Sequence, residues 1–111
     1  MAEPTIDPAV FAELAETAGS DFIAELAATF MEEAPLMLAE LRAAQAAGIA
    51  DRFRRAAHSL KSNGLTFGAT RLATMARVLE QGGLINETGP LDALEQEYQR
   101  VAAALTGLVR G

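Results

Sequence analysis

The sequence predicts an all-α protein: an antiparallel, up-down-up-down four-helix bundle with a short additional helix at the N-terminus. Half of the 111 residues are apolar but only 5% are aromatic. Alanine and leucine dominate over the β-branched types, a balance that favours closely packed helices. Apolar residues recur at spacings of three and four along several segments, as on one face of a helix. Short glycine- or proline-containing stretches separate these segments and are typical of connections between antiparallel helices.

The first helix is predicted to begin at Asp7, a good capping residue, with Pro8 at the first helical position. Gly19 is predicted to end it. Residues 1–6 precede the cap and are predicted to form a flexible tail. The whole chain, residues 1–111, is expected to be one domain, because a chain of this length buries roughly two-thirds of its unfolded surface in a single core.

The second helix is the longest and is predicted to run from Ser20 or Asp21 to Gly48. Pro35 lies inside it and removes one backbone donor. Because the apolar periodicity continues on both sides of Pro35, we predict one bent helix, with two separate helices as the alternative. The predicted apolar positions are Ile23, Leu26, Phe30, Ala34, Met37, Leu41 and Ala44.

Three further helices complete the predicted bundle. The third starts near Ala50 or Asp51 and ends at Gly68, the fourth ends at Gly82–Gly83, and the last begins at Pro90. Their predicted apolar stripes are Phe53, Ala57, Leu60, Gly64 and Phe67; Leu72, Met75, Ala76 and Leu79; and Leu91, Leu94, Tyr98, Val101, Leu105 and Leu108. Function is therefore expected on the surface of the bundle.

The composition excludes several classes of function. A net charge of −6 argues against nucleic-acid binding and against an anionic membrane. No apolar run approaches the ~18 residues of a membrane span, and Met1–Pro4 lacks the basic start of a secretory signal. We expect a soluble, cytoplasmic protein. With no cysteine and one histidine, a zinc site would depend on carboxylates, and Glu32–Glu33, Glu95 and Glu97 are interpreted as parts of a solvated face.

His58 is the one residue that can easily act as a neutral nucleophile at physiological pH. At 100° per residue it points about 140° away from the apolar stripe of the third helix, so we expect it to face solvent. Lys61 and Ser62 follow it by three and four residues, and Arg54 precedes it by four, so all three can lie beside the imidazole. The alternative is an incidental surface histidine.

These neighbours suit an incoming phosphoryl group, since catalysis of phosphoryl transfer rests mainly on positioning and charge stabilisation. Lys61 supplies a compact positive charge. Ser62 could donate a hydrogen bond to a phosphoryl oxygen, and it is small enough for another protein's active site to approach. We therefore interpret His58 as a phosphate-accepting nucleophile.

Two further features of this face are candidates for partner binding. Leu65 is an exposed apolar position seven residues after His58, either a scattered surface leucine or part of a docking patch. Arg52, Arg54 and Arg55 are too few for nucleic acid and are expected to draw an acidic partner toward His58.

A run of thirteen residues resembles the signature of the histidine phosphotransfer (HPt) family. In that signature, Ala-His-x-Leu-Lys is followed by small residues and then Gly-Ala, and here Ala57 to Ala69 read AHSLKSNGLTFGA. The resemblance covers about residues 7–83. It is continued by Phe22, Leu26, Phe30, Pro35, Leu41, Leu72 and Leu79-Glu80. Ser62 departs from the pattern, because the family often has glycine after the lysine.

The resemblance implies a monomeric relay protein without cofactor or ATP-dependent kinase activity of its own. His58 corresponds to the phosphoacceptor and Lys61 to the family's nearby lysine. The implied partners are the receiver domains of a hybrid histidine kinase and of a response regulator, with any magnesium held by the receiver. Two alternatives remain: a non-catalytic helical binding module, and a phosphoacceptor domain excised from a larger chemotaxis-type kinase. The start at Met1 and the helical end near Arg110 favour a free-standing protein.

Overall fold

The computed structural model describes residues 4–110, which form five helices. In chain order they are α1 (Pro8–Ala18), α2 (Ser20–Ala47), α3 (Ala50–Phe67), α4 (Thr70–Gly82) and α5 (Gly89–Arg110). No strand occurs in this range, so the all-α prediction is confirmed. Within the same residues, no helix has the length and apolar character needed to cross a membrane.

The chain is anchored to the bundle before α1 begins. The Asp7 carboxylate caps α1 by accepting a hydrogen bond from a first-turn N–H at 2.9 Å, as predicted. The backbone N–H of Asp7 also donates to the carbonyl of Gly68 at 2.8 Å, and Ile6 is buried in the core. Of the tail predicted over residues 1–6, residues 1–3 lie outside the described residues. From Ile6 onward the chain is part of the packed structure.

The core lies between α2, α3, α4 and α5. α2 packs against α1, α3 and α5, and α4 packs against α3 and α5. Most predicted apolar positions are buried, and Leu26, Met37 and Met75 are partly buried. Leu108 was predicted to be in the α5 stripe but is 44% exposed, and the neighbouring Val109 packs against the core instead. α2 is continuous through Pro35, which agrees with one helix rather than two.

Two glycines determine how closely α3 approaches its neighbours. A Cβ added at Gly64 would lie 3.3 Å from both the Cβ and the backbone nitrogen of Ala73, so α3 and α4 are in near contact there. Gly68 ends α3 with a φ of +78°, a conformation that L side chains rarely adopt. The connection between the two helices is therefore very short. Because the two helices run back along each other from this connection, a residue on α3 contacts a residue about equally far from the connection on α4. His58 therefore lies opposite the last turn of α4.

Candidate functional site

His58 stands on the solvent face of α3. Phe53, Ala57 and Leu60 on the other side of the helix are completely buried, whereas the His58 side chain is 56% exposed. The helical spacing predicted this orientation, because successive residues are 100° apart and the stripe fixes which side faces the core. The imidazole is thus accessible to another protein.

A carboxylate from α4 holds both His58 and Lys61. Nδ1 of His58 lies 2.6 Å from Oε2 of Glu80, and Nζ of Lys61 donates to Oε1 of the same carboxylate at 2.7 Å. The Glu80 side chain is only 15% exposed, so most of the water around it has been displaced. One carboxylate therefore fixes the imidazole and the ammonium group side by side.

The charges around Glu80 determine which ring nitrogen of His58 carries the proton. The hydrogen bonds from Lys61 and then from His58 lower the pKa of the Glu80 carboxyl below its ordinary value of 4.5, against the opposing effect of burial. At neutral pH Glu80 is therefore ionised and can only accept hydrogen bonds. Nδ1 of the neutral imidazole must then be the donor. This leaves the lone pair on Nε2, which Glu80 does not contact, free for nucleophilic attack.

Ser62 and Asn63 differ in what their polar groups do. The exposed Ser62 hydroxyl bonds no group of residues 4–110, while its backbone carbonyl accepts from the Thr66 hydroxyl at 3.0 Å. Asn63 donates its amide to the Ser59 carbonyl at 3.0 Å and lies 3.8 Å from the sulfur of Met37 on α2. The Asn63 amide is thus occupied by contacts within the chain, whereas the Ser62 hydroxyl is exposed on the solvent side of α3 and can bind another group.

The arginines before His58 are paired within the chain. Arg54 and Arg55 each lie 2.7 Å from a different oxygen of Asp51, in the first turn of α3. Arg52 makes two hydrogen bonds to Glu40 of α2, at 2.7 and 2.6 Å. The structure therefore directs Arg54 toward the start of α3 and does not bring it to the imidazole. Exposed ion pairs of this kind add little stability, but they reduce the positive charge that the sequence alone suggests.

Two clefts flank the ridge that carries His58. The α2–α3 cleft, with a volume of ≈420 Å³, includes the exposed Leu36, together with Met37, Ala56 and Ser59. The α3–α4 cleft is smaller, ≈190 Å³. Its lining residues are Lys61 and Leu65 from α3 and Thr70, Ala73, Thr74 and Arg77 from α4. The 57% exposed Leu65 is thus one wall of a cleft rather than an isolated surface leucine.

The sequence patterns did not predict that Glu80 contacts His58 or that Arg77 lies near Lys61. Predicting these contacts requires the register of α3 against α4. Once Gly64 is taken as the point of closest approach to Ala73, residues six before Gly64 and seven after Ala73 come into contact. Helical periodicity within one segment does not contain this information.

Comparisons with known proteins agree on one family. The family model described as Hpt domain matches residues 25–104. Among solved structures, the chain is similar to the crystal structure of histidine-containing phosphotransfer protein B from Pseudomonas aeruginosa PAO1, with 30% sequence identity and a TM-score of 0.75. That match covers 98% of this chain and 94% of the other. No curated protein matches the chain.

Proposed function

The chain belongs to the Hpt domain family, and from this membership we propose that it relays a phosphoryl group between proteins of a phosphorelay. The donor is an aspartyl phosphate on the receiver domain of a hybrid histidine kinase, and the acceptor is the aspartate of a response regulator. The observation that carries the proposal is the contact between His58 and Glu80, because it leaves a nucleophilic nitrogen exposed on the surface.

In the transfer step, Nε2 of His58 attacks the phosphorus of the aspartyl phosphate. The bond between phosphorus and the aspartate oxygen breaks, and the aspartate leaves as a carboxylate. Nδ1 keeps its proton, so the imidazole ring gains one positive charge as the new N–P bond forms. The Glu80 carboxylate, 2.6 Å from Nδ1, stabilises that charge. Transfer to the response regulator is the reverse of this step.

Lys61 and Ser62 act on the phosphoryl group itself. In the resting protein the Lys61 ammonium group bonds Glu80, next to His58. When the phosphoryl oxygens arrive, this cation offsets their negative charge. Ser62 lies one turn after His58 with its hydroxyl uncommitted within the described residues, and it donates a hydrogen bond to a phosphoryl oxygen. The same exposed face of α3 is covered by the receiver domain during transfer.

Magnesium belongs to the receiver domain in this proposal. Glu80 is the carboxylate beside His58, and both of its oxygens already bond His58 and Lys61.

The chain acts as a monomer, because His58, Lys61 and Glu80 come from α3 and α4 of one chain. The relay takes place in the cytoplasm. Sedimentation of the purified chain and fractionation of the source cells test these two statements.

We also propose that α2 to α5 form an antiparallel, up-down-up-down four-helix bundle with α1 attached. The packing pairs α2–α3, α3–α4, α4–α5 and α2–α5 form a closed ring, which is the arrangement that this topology requires. Short connections between consecutive helices support it. Residual dipolar couplings, which measure helix directions in solution, provide the test.

A transfer assay tests the relay function. A panel of receiver domains from the source organism is phosphorylated with acetyl phosphate and mixed with the chain. At least one receiver is expected to yield an acid-labile, alkali-stable phosphoprotein, and His58→Ala, checked for helicity, is expected to yield none. Because the chain has a single histidine, acid-labile label on His58→Ala would overturn the assignment. Absence of transfer from every receiver would overturn the relay function.

A further inference from the structure

Arg77 has a position in the bundle that the relay chemistry described above does not use. It is an exposed residue on α4 and lines the α3–α4 cleft together with Lys61 and Leu65. Within residues 4–110, Arg77 and Arg110 are the only arginines that make no ion pair with a carboxylate. The other arginines pair with acidic side chains of this chain: Arg42, Arg52, Arg54, Arg55, Arg71 and Arg100.

This lack of a partner is notable in a chain with six more acidic than basic residues. Glu80 lies one turn after Arg77 on α4, yet its two oxygens bond His58 and Lys61. No carboxylate of the described residues therefore offsets the positive charge of Arg77 at the edge of the cleft. A guanidinium presents a planar fork of donors that matches a carboxylate.

The cleft also offers an apolar surface next to this charge. Leu65 forms one wall, the buried Ala73 forms the floor, and the methyl-bearing side chains of Thr70 and Thr74 line the α4 side. A volume of ≈190 Å³ accommodates about one side chain rather than a helix. The cleft is continuous with the phosphoacceptor site, because Lys61 lines the cleft and also shares Glu80 with His58.

We propose that the α3–α4 cleft is a specificity pocket for the receiver partner, in which Arg77 binds a carboxylate side chain and Leu65 packs against an adjacent apolar group of that partner. The inference rests on the proposed relay function. It gives the receiver a second point of contact with this chain, besides the one at His58. In this proposal Arg77 contacts the partner protein rather than the phosphoryl group, so it contributes to binding of the partner and not to the chemical step. Because Arg77 is cationic and pairs with no carboxylate of the described residues, we expect the partner segment bound in the cleft to be acidic.

The test separates docking from chemistry with two phosphodonors. The first is the receiver domain that phosphorylates the wild-type chain fastest in the panel, and the second is phosphoramidate, a small molecule that needs no docking surface. Arg77→Ala is expected to raise the KM for the phosphorylated receiver about 3- to 10-fold with little change in kcat. Arg77→Glu is expected to raise it further, because it places like charges together. Both variants are expected to react with phosphoramidate at the wild-type rate.

Arg110→Ala is the matched control for net charge. Arg110 is the other unpaired arginine of the described residues, and it lies on α5, outside the lining of the α3–α4 cleft. This variant is expected to leave the KM within about twofold of wild type. Leu65→Ala is expected to raise the KM for the phosphorylated receiver, as Arg77→Ala does. Its control is Leu108→Ala, which removes another exposed leucine, on α5, and is expected to leave the KM unchanged.

The outcomes distinguish the specificity pocket from the relay function. Equal KM values for Arg77→Ala, Arg110→Ala and wild type would overturn the specificity pocket while leaving the relay function intact. An equal loss with phosphoramidate and with the receiver would also overturn it, since Arg77 would then act on the chemistry or on folding. Failure of the wild-type chain to accept phosphate from every receiver would remove both proposals.

Discussion

Tyr98 of α5 donates its hydroxyl to the backbone carbonyl of Met31 in α2, at 3.2 Å. In a regular α-helix this carbonyl would accept from the N–H four residues later, but that residue is Pro35, which has none. The tyrosine therefore replaces the hydrogen bond that the proline removes. The carbonyl would otherwise be a polar group without its helical partner beside the core.

This relationship predicts that the two residues are energetically coupled. Tyr98→Phe is expected to destabilise the protein by about 1 kcal/mol, because it leaves the Met31 carbonyl without a partner. In the background of Pro35→Ala the same change is expected to cost much less, since a backbone N–H is then present to bond that carbonyl. Denaturant unfolding of the four proteins measures the coupling. Equal costs in both backgrounds would show that the tyrosine hydroxyl does not compensate for the proline.

The same residues illustrate how far the sequence alone reaches. Helical periodicity placed Tyr98 in the core and kept α2 in one piece across Pro35, because both inferences depend on spacing within one segment. It could not pair the tyrosine hydroxyl with a carbonyl 67 residues away.

The buried carboxylate on α5 shows the same limit. Glu97 was assigned to a solvated face, but it is only 2% exposed and lies 3.0 Å from Arg100 and 3.7 Å from Arg71 of α4. The position of Glu97 depends on how α4 packs against α5, and that is not a periodic property of either helix. At the candidate site, likewise, the exposure of His58 was predictable and its contact with Glu80 was not.

Gly64 and Gly107 form a matched pair for testing the close packing of α3 on α4. Gly64→Ala is expected to destabilise the protein by about 1 to 3 kcal/mol, because the added Cβ would lie 3.3 Å from the Ala73 backbone and push the helices apart. Gly107→Ala is expected to stabilise it by about 0.5 kcal/mol, since nothing lies within 4 Å of the added Cβ and alanine favours helix. Urea unfolding measures both. A neutral Gly64→Ala would show that α4 shifts freely.

The Glu80 contacts predict a specific acid sensitivity. Lys61 and His58 lower the pKa of the Glu80 carboxyl below 4.5 in the folded chain, so its ionised form stabilises the fold at pH values above 4.5. This stabilisation is lost as the pH falls through the folded-state pKa, when the carboxyl becomes protonated. The difference in unfolding free energy between wild type and Glu80→Gln is therefore expected to shrink below pH 4.5. A difference that stays constant down to pH 3 would contradict the assigned contacts.

Lys61 is predicted to assist transfer through its charge rather than through the fold. Lys61→Ala is expected to slow phosphorylation of His58 about 10-fold, because the phosphoryl oxygens lose a nearby cation. Its melting temperature is expected to change by no more than a few degrees, since Glu80 keeps its hydrogen bond to His58. Lys61→Arg keeps the charge and is expected to restore part of the rate. An unchanged rate in Lys61→Ala would remove this residue from the mechanism.

The contact with Glu80 is predicted to hold the proton of His58 on Nδ1. Glu80→Gln keeps the shape of the side chain but replaces the carboxylate, whose bond to Nδ1 at 2.6 Å holds the proton there. We expect the variant to populate the Nε2–H tautomer more than wild type does and to accept phosphate about 10- to 100-fold more slowly, with both phosphoramidate and the receiver. Long-range ¹H–¹⁵N spectra above pH 8 distinguish the tautomers, and a single histidine makes the signals unambiguous.

The Lys61→Ala protein is the control that separates proton placement from loss of charge. It retains Glu80, so its His58 is expected to keep the proton on Nδ1 even though transfer slows. A tautomer shift in Glu80→Gln that is absent from Lys61→Ala would assign proton placement to the carboxylate alone. If Glu80→Gln instead kept the wild-type tautomer and rate, the contact between Glu80 and His58 would contribute only to packing, and the exposed Nε2 would owe its reactivity to solvent exposure alone.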